Sequence, residues 1–287
     1  MITRRKLLRT TAAAAAAAPV AASLLAPTPS QGAEGGGRLK QSACRWCYSK
    51  MSLDDLCKNA QRIGLKGIDL VNAPDWSTVK KYGLVPAMIQ GNGRIPDGFN
   101  RLENHEKLLS DLKELITQVS AEGYPNVIAF SGNRKGMPDG EGLANCVTGL
   151  SKIKKFAEEK NVTVNLELLN SKVNHKDYMA DHVAWGAEMC KKVDSPRVKL
   201  LYDIYHMQIM EGDIIRNIRD NYAYLGHFHT GGNPDRHELN DKQELNWRAI
   251  ATAIADLGYQ GYFAHEFIPV APDPMKSLQE AYELCKV

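Results

Sequence analysis

Four short apolar runs in this chain carry an acid or a histidine where an apolar side chain is expected. They are Asn165-Leu166-Glu167-Leu168-Leu169-Asn170, Leu201-Tyr202-Asp203-Ile204-Tyr205-His206, His227-Phe228-His229-Thr230 and Ala264-His265-Glu266-Phe267. A carboxylate buried alone in such a run is strongly destabilising unless something compensates its charge. Here three carboxylates and one imidazole recur at equivalent places, and a shared cation would offset them all. Glu167, Asp203, His229 and Glu266 together suit one divalent metal ion, Mg²⁺, Mn²⁺, Co²⁺ or Zn²⁺, and the absence of thiolate ligands speaks against a structural zinc. The plainer alternative is that each acid sits in its own buried salt bridge. His229 could likewise be no more than hydrogen-bonded, since His227 two residues earlier shares its face of a strand.

These four runs must be brought together by the elements that contain them. From residue 41 onward, short apolar or β-branched runs alternate with longer segments of helical periodicity, the pattern of βα units. Strands are expected at 42–47, 67–71, 85–89, 127–130, 162–169, 198–205, 224–230 and 262–268. Helices are expected at 52–63, where Leu53, Leu56, Ala60 and Ile63 share one face and Ser52 with Asp55 forms a capping-box-like start, and around Leu108, Leu112, Leu115, Ile116 and Val119. Further helices fall near 182–192, 213–220, 246–257 and 274–285. Eight such units predict an α/β fold that closes into a single (β/α)8 barrel. An open doubly wound sheet would also call for a glycine-rich phosphate turn, which is missing. In such a barrel, reactive groups come from the C-terminal ends of the strands, where the four runs place theirs.

Other residues near those ends admit two readings each. Asn170 and His175, just past the Glu167 run, either line a pocket or cap the loop. Trp46 either walls the site near the first strand end or packs in the core. The Lys152-Ile153-Lys154-Lys155 and Lys191-Lys192 runs read as solvated helix faces. The six cysteines are read as core packing; Cys44-Arg45-Trp46-Cys47 forms a CxxC, but no second pair or nearby histidine joins it, and strand alternation would point the two thiols apart.

The chain has 287 residues, a length that one α/β barrel routinely uses, and at 44% hydrophobic and 24% charged residues it can bury a sizeable core. Its formal charge is +3, but Arg4, Arg5, Lys6 and Arg9 all precede residue 34 with no acid among them, so the remainder stands at −1. A near-neutral body carries no footprint for nucleic acid or an anionic membrane, which leaves a small molecule as the expected partner. Thr3-Arg4-Arg5-Lys6-Leu7-Leu8, followed by a weakly apolar alanine-rich run, resembles a twin-arginine export signal; it is too weakly apolar for a membrane anchor. Residues 1–33 are therefore expected to be that signal and the start of a glycine-rich linker, residues 41–287 the barrel domain, and the location periplasmic or otherwise outside the cytoplasm. Homo-oligomerisation stays open.

Beyond the four runs, Tyr205-His206-Met207-Gln208-Ile209-Met210-Glu211-Gly212-Asp213 and Gly232-Asn233-Pro234-Asp235-Arg236-His237-Glu238 resemble the xylose-isomerase-like TIM barrel superfamily, specifically its hydroxypyruvate isomerase and ketose 3-epimerase branch. The resemblance runs from about residue 41 to the end. It implies that Glu167, Asp203, His229 and Glu266 hold one divalent metal and that His206 and Arg236 contact substrate oxygens. It also implies an isomerase that moves a proton between adjacent carbons of a hydroxy-carbonyl compound through an enediolate, with Glu167 and Glu266 as base and acid. Hydroxypyruvate, converted to tartronate semialdehyde, is the implied substrate. One position departs: His229 stands where hydroxypyruvate isomerases often carry glutamine and the epimerases histidine. A ketose 3-epimerase on the same scaffold is thus the alternative, and an exported sugar-binding barrel without turnover is the alternative of another class.

Overall fold

The computed structural model describes residues 37–91 and 93–287. The expected export signal lies outside them. Eight parallel strands pair in chain order and close on themselves, β8 returning to β1. They are β1 (Lys40–Cys44), β2 (Gly67–Val71), β3 (Val85–Ile89), β4 (Asn126–Ala129), β5 (Thr163–Leu168), β6 (Val198–Asp203), β7 (Leu225–Thr230) and β8 (Tyr262–His265). Around them lie α1 (Leu53–Ile63), α2 (Trp76–Lys81), α3 (His105–Ala121), α4 (Asp139–Glu159), α5 (Val183–Val193), α6 (Ile204–Met210), α7 (Ile214–Asn221), α8 (Trp247–Asp256) and α9 (Pro274–Cys285). The single (β/α)8 barrel expected from the eight repeated units is the fold observed.

The strands read as continuous apolar runs because helices cover one face and the barrel interior the other, so β5 is buried along its whole length. Local signals set the helices. Ser52 caps α1 by accepting from the Asp55 N–H, and Gly64 ends it at φ 109°, a left-handed conformation that glycine adopts without cost. Its expected face is inward at Leu56, Ala60 and Ile63. No helix among the described residues is long and apolar enough to cross a membrane.

Three expected strands end two or more residues earlier than the sequence suggests. The 42–47 run leaves the sheet at Cys44, and Arg45–Tyr48 wind into a 3₁₀ turn, so Cys47 is not on a strand. All six cysteines are free, and all but Cys47 are buried, in keeping with packing. The 198–205 run ends at Asp203, whose carboxylate caps α6, and the 262–268 run ends at His265, although the Glu266 N–H still donates to the Thr230 carbonyl at 3.0 Å. Apolar residues continue past each strand end because the mouth loops are themselves buried, which periodicity cannot distinguish from strand.

A buried tyrosine ties two strand ends at that mouth. Tyr178, from the loop between β5 and α5, donates its hydroxyl to the Glu167 carbonyl at 2.9 Å and accepts from the Ser131 N–H at 2.9 Å. Tyr178→Phe removes the partner of both and leaves two buried backbone groups unsatisfied. It should lower stability by about 1–3 kcal/mol, read as a shift in the urea midpoint; a midpoint equal to that of the parent would show that the tie carries no stability.

Candidate functional site

Glu167 on β5, Asp203 at the end of β6, His229 on β7 and Glu266 just past β8 converge at the C-terminal mouth, each offering one ligand atom within 4.8 Å of the others. All four are buried. Strands β5 to β8 are neighbours in the closed barrel and their C-terminal ends open on the same mouth, which is why four segments up to a hundred residues apart can meet.

The geometry of His229 is directional. Its Nδ1 lies 2.5 Å from Glu266 Oε2 and 3.7 Å from Glu167 Oε1, yet it has no aligned hydrogen-bond partner. Its Nε2 faces the other way, toward Asp69 Oδ2 at 3.5 Å and Cys44 Sγ at 3.8 Å. One nitrogen is thus presented to three carboxylates. A buried nitrogen without an aligned partner, beside hard oxygen donors, is the chemistry a divalent cation fits, and Glu167, Asp203, His229 and Glu266 are the residues that could hold one.

Arg236 offsets part of the negative charge. Its Nη2 donates to Asp203 Oδ2 at 2.8 Å and Glu266 Oε2 at 2.6 Å, its Nε to the Glu266 carbonyl at 3.1 Å, and its Nη1 lies 2.8 Å from His206 Nε2. The guanidinium also lies over the rings of Tyr205 and Trp46, at 4.9 and 5.6 Å from their centroids. Arg236 has φ 59°, a left-handed conformation costly for a residue with a side chain, held by its N–H bonding to the Gly232 carbonyl and the Ile268 N–H bonding to its own carbonyl. The loop after β7 thereby folds back over the mouth.

The carboxylates respond unequally to this environment. Burial, reinforced by Glu266, pushes Glu167 up to about 8. Burial also raises Asp203 to about 6, against the pull of Arg236. Burial opposes ionisation of Glu266 too, but His229, Arg236 and the hydrogen bond from Trp46 hold it well below the usual carboxylate range. Burial and Arg236 keep His206 neutral.

Of the residues expected to touch substrate, His206 and Arg236 both line a cavity of about 420 Å³ at the mouth, together with His175, Glu167 and Glu266. Its size suits a small ligand. Asn170 is placed differently. It is buried behind His206, its Nδ2 2.6 Å from His206 Nδ1, and its Oδ1 accepts from the Val173 and Asn174 N–H groups. It supports His206 and caps its own loop rather than walling the cavity, because a short polar side chain at a strand end is taken up by local backbone donors. Trp46 is neither core packing nor only an apolar wall: it is 42% exposed and its indole N–H donates to Glu266 Oε1 at 2.6 Å.

Asp69 on β2 escaped the sequence reading. It is buried across the barrel, its Oδ2 accepting from His227 Nε2 at 2.6 Å. Gly67-Ile68-Asp69-Leu70-Val71 carries an acid inside an apolar run, the same signal as Glu167, but no motif singled it out. Asn174 was missed too; its Oδ1 accepts from the Tyr205 hydroxyl and Asn170 Nδ2, and nothing in its sequence context marks it.

The chain is similar to known proteins across the whole barrel. It is 26% identical over 242 residues, 83% of this chain and 82% of the other, to a Mus musculus protein named "Putative hydroxypyruvate isomerase". It is 34% identical over 115 residues, 40% of this chain and 44% of the relative, to the 2-oxo-tetronate isomerase of Cupriavidus necator. Among solved structures, an AP endonuclease, family 2, from Brucella melitensis superposes with a TM-score of 0.74 at 19% identity, covering 84% of this chain and 97% of that one. D-psicose 3-epimerase of Clostridium cellulolyticum H10 superposes with a TM-score of 0.70 at 17% identity, covering 86% and 96%. At these identities the two structures speak to the fold alone. The Xylose isomerase-like TIM barrel family model matches residues 58–286, and the chain belongs to that family.

Proposed function

We propose that this protein is a metal-dependent isomerase that moves a proton between adjacent carbons of a small hydroxy-carbonyl compound, with hydroxypyruvate as the first substrate to test. The observation that carries the reading is the convergence of Glu167, Asp203, His229 and Glu266 within 4.8 Å, beside a ligand-sized cavity that Glu167 and Glu266 line. The relatives named hydroxypyruvate isomerase and 2-oxo-tetronate isomerase support the class.

A bound divalent ion would supply positive charge against the oxygen charge that develops as a C–H bond breaks. Glu167, whose burial makes it a stronger base than an ordinary carboxylate, takes the proton from carbon. Glu266, held by Trp46 and Arg236, is the second carboxylate of the acid–base pair, on the other side of the substrate. Asn170 at His206 Nδ1 and Arg236 at Nε2 fix the ring, which lines the cavity and meets a substrate oxygen. Arg236 orients the second oxygen, and His175 lies beside His206, ring centroids 5.2 Å apart, as a further contact.

A ketose 3-epimerase is the second reading, favoured by histidine at position 229. The same groups would then return the proton to the carbon that lost it. We also read residues 1–33 as an export signal, so that the reaction takes place outside the cytoplasm.

Four outcomes are expected. Metal-loaded protein in D₂O should exchange deuterium into the carbon next to the carbonyl of hydroxypyruvate; exchange only into ketoses favours the epimerase, and thermal stabilisation by ligand with no exchange anywhere favours a binding protein. Glu167→Gln should lower that exchange by at least about 10³-fold with the fold retained, and a near-parental rate would remove Glu167 from the mechanism. Metal competes with protons at Glu167 and Asp203, so apparent affinity should rise with pH from about 6 to about 8 and protons should be released on binding at pH 7; calorimetry in buffers of different ionisation enthalpy counts them, and none released contradicts the raised carboxylates. Replacing Arg4 and Arg5 by lysine should retain the protein in the cytoplasm on cell fractionation, and unchanged export would rule out the twin-arginine route.

A further inference from the structure

Below the candidate metal centre lies a second buried cluster that the mechanism does not use. Asp69 on β2 reaches across the barrel interior to β7, where its Oδ2 lies 2.6 Å from His227 Nε2 and 3.5 Å from His229 Nε2. All three side chains are fully buried. Asp69 Oδ1 and His227 Nδ1 have no hydrogen-bond partner among the described residues, so the Oδ2 contacts are what the carboxylate has in exchange for its hydration. The two imidazole rings stand nearly perpendicular, with centroids 5.2 Å apart; His227 Nε2 is hydrogen-bonded to the oxygen that His229 Nε2 approaches to 3.5 Å.

We propose that Asp69 is the positioning residue of the centre: it holds the proton of His229 on Nε2 and so keeps the Nδ1 lone pair aimed at the space between Glu167, Asp203 and Glu266. The inference rests on the reading that those groups hold a divalent cation. Neutral imidazole carries one proton, and an acceptor at one nitrogen dictates which nitrogen is left to ligate. On the Nε2 side of His229 the acceptors are the Asp69 carboxylate and the weaker Cys44 sulfur. Negative charge there also increases the basicity of Nδ1. His227 fixes Asp69 in turn, through the shorter of its two contacts.

Asp69→Asn keeps the volume but leaves one neutral acceptor oxygen for two imidazole N–H groups. Metal-free parent and variant are titrated with Mn²⁺ followed by electron paramagnetic resonance, and their melting temperatures are compared without metal. The expected result is a Kd for Mn²⁺ raised about ten- to a hundredfold with the metal-free melting temperature little changed. A Kd within about threefold of the parent, well under the usual effect of such a partner, overturns the positioning role and leaves the centre standing. Failure of the parent itself to bind Mn²⁺ overturns the centre, and the inference with it. Where Asp69→Asn folds poorly, the parent alone decides: loaded with Zn²⁺ and labelled with ¹⁵N, it should show His229 protonated at Nε2 in a long-range ¹H–¹⁵N spectrum, and a proton on Nδ1 overturns the proposal.

Discussion

Three carboxylates lie buried within reach of one another at the mouth of the barrel, and one guanidinium meets two of them. Like charges held this close in a low dielectric repel strongly, and neither burial nor the single arginine removes that repulsion. Much of the local structure follows from containing it. Arg236 adopts a left-handed backbone to reach Asp203 and Glu266, Tyr205 and Trp46 flank its guanidinium, and His229 turns Nδ1 inward. Burial, reinforced by Glu266, pushes Glu167 up to about 8, while Glu266, nearest the positive groups, is held well below the usual carboxylate range.

The barrel contributes rigidity where it matters and freedom where it does not. The four carboxylate and imidazole groups stand on or immediately beside strands, fixed by the sheet's hydrogen bonds, while His206, Arg236 and His175 come from the helix and loops that follow. Under the proposed function precision is needed at the cluster, because a shift of about one ångström would separate donors meant to share one ion. Contacts to substrate tolerate variation, and in this fold the loops are where one chemistry is adapted to different molecules.

Much of the site was legible in the chain. Acids and a histidine interrupting apolar runs at Glu167, Asp203, His229 and Glu266 conflict with local propensity, and such conflicts tend to fall at functional positions. The β1, β6 and β8 ends were not legible, since buried loops continue the apolar pattern past the last ladder bond. Position alone left Asn170 between cavity wall and loop cap, and the structure decides for the cap, with the side chain also holding His206. Asp69 broke an apolar run as plainly as Glu167 did, but its partners lie some 160 residues away, at His227 and His229.

By itself the sequence determined the number and order of the βα units, the closure of the barrel and the identity of the four residues at its mouth, because periodicity and the cost of burying charge act along the chain. Only the tertiary structure decided that Arg236 folds back onto two of those carboxylates, that Trp46 donates to Glu266, and that Asp69 stands behind His229. Those contacts join segments from different strands, and their distances exist only once the sheet has closed.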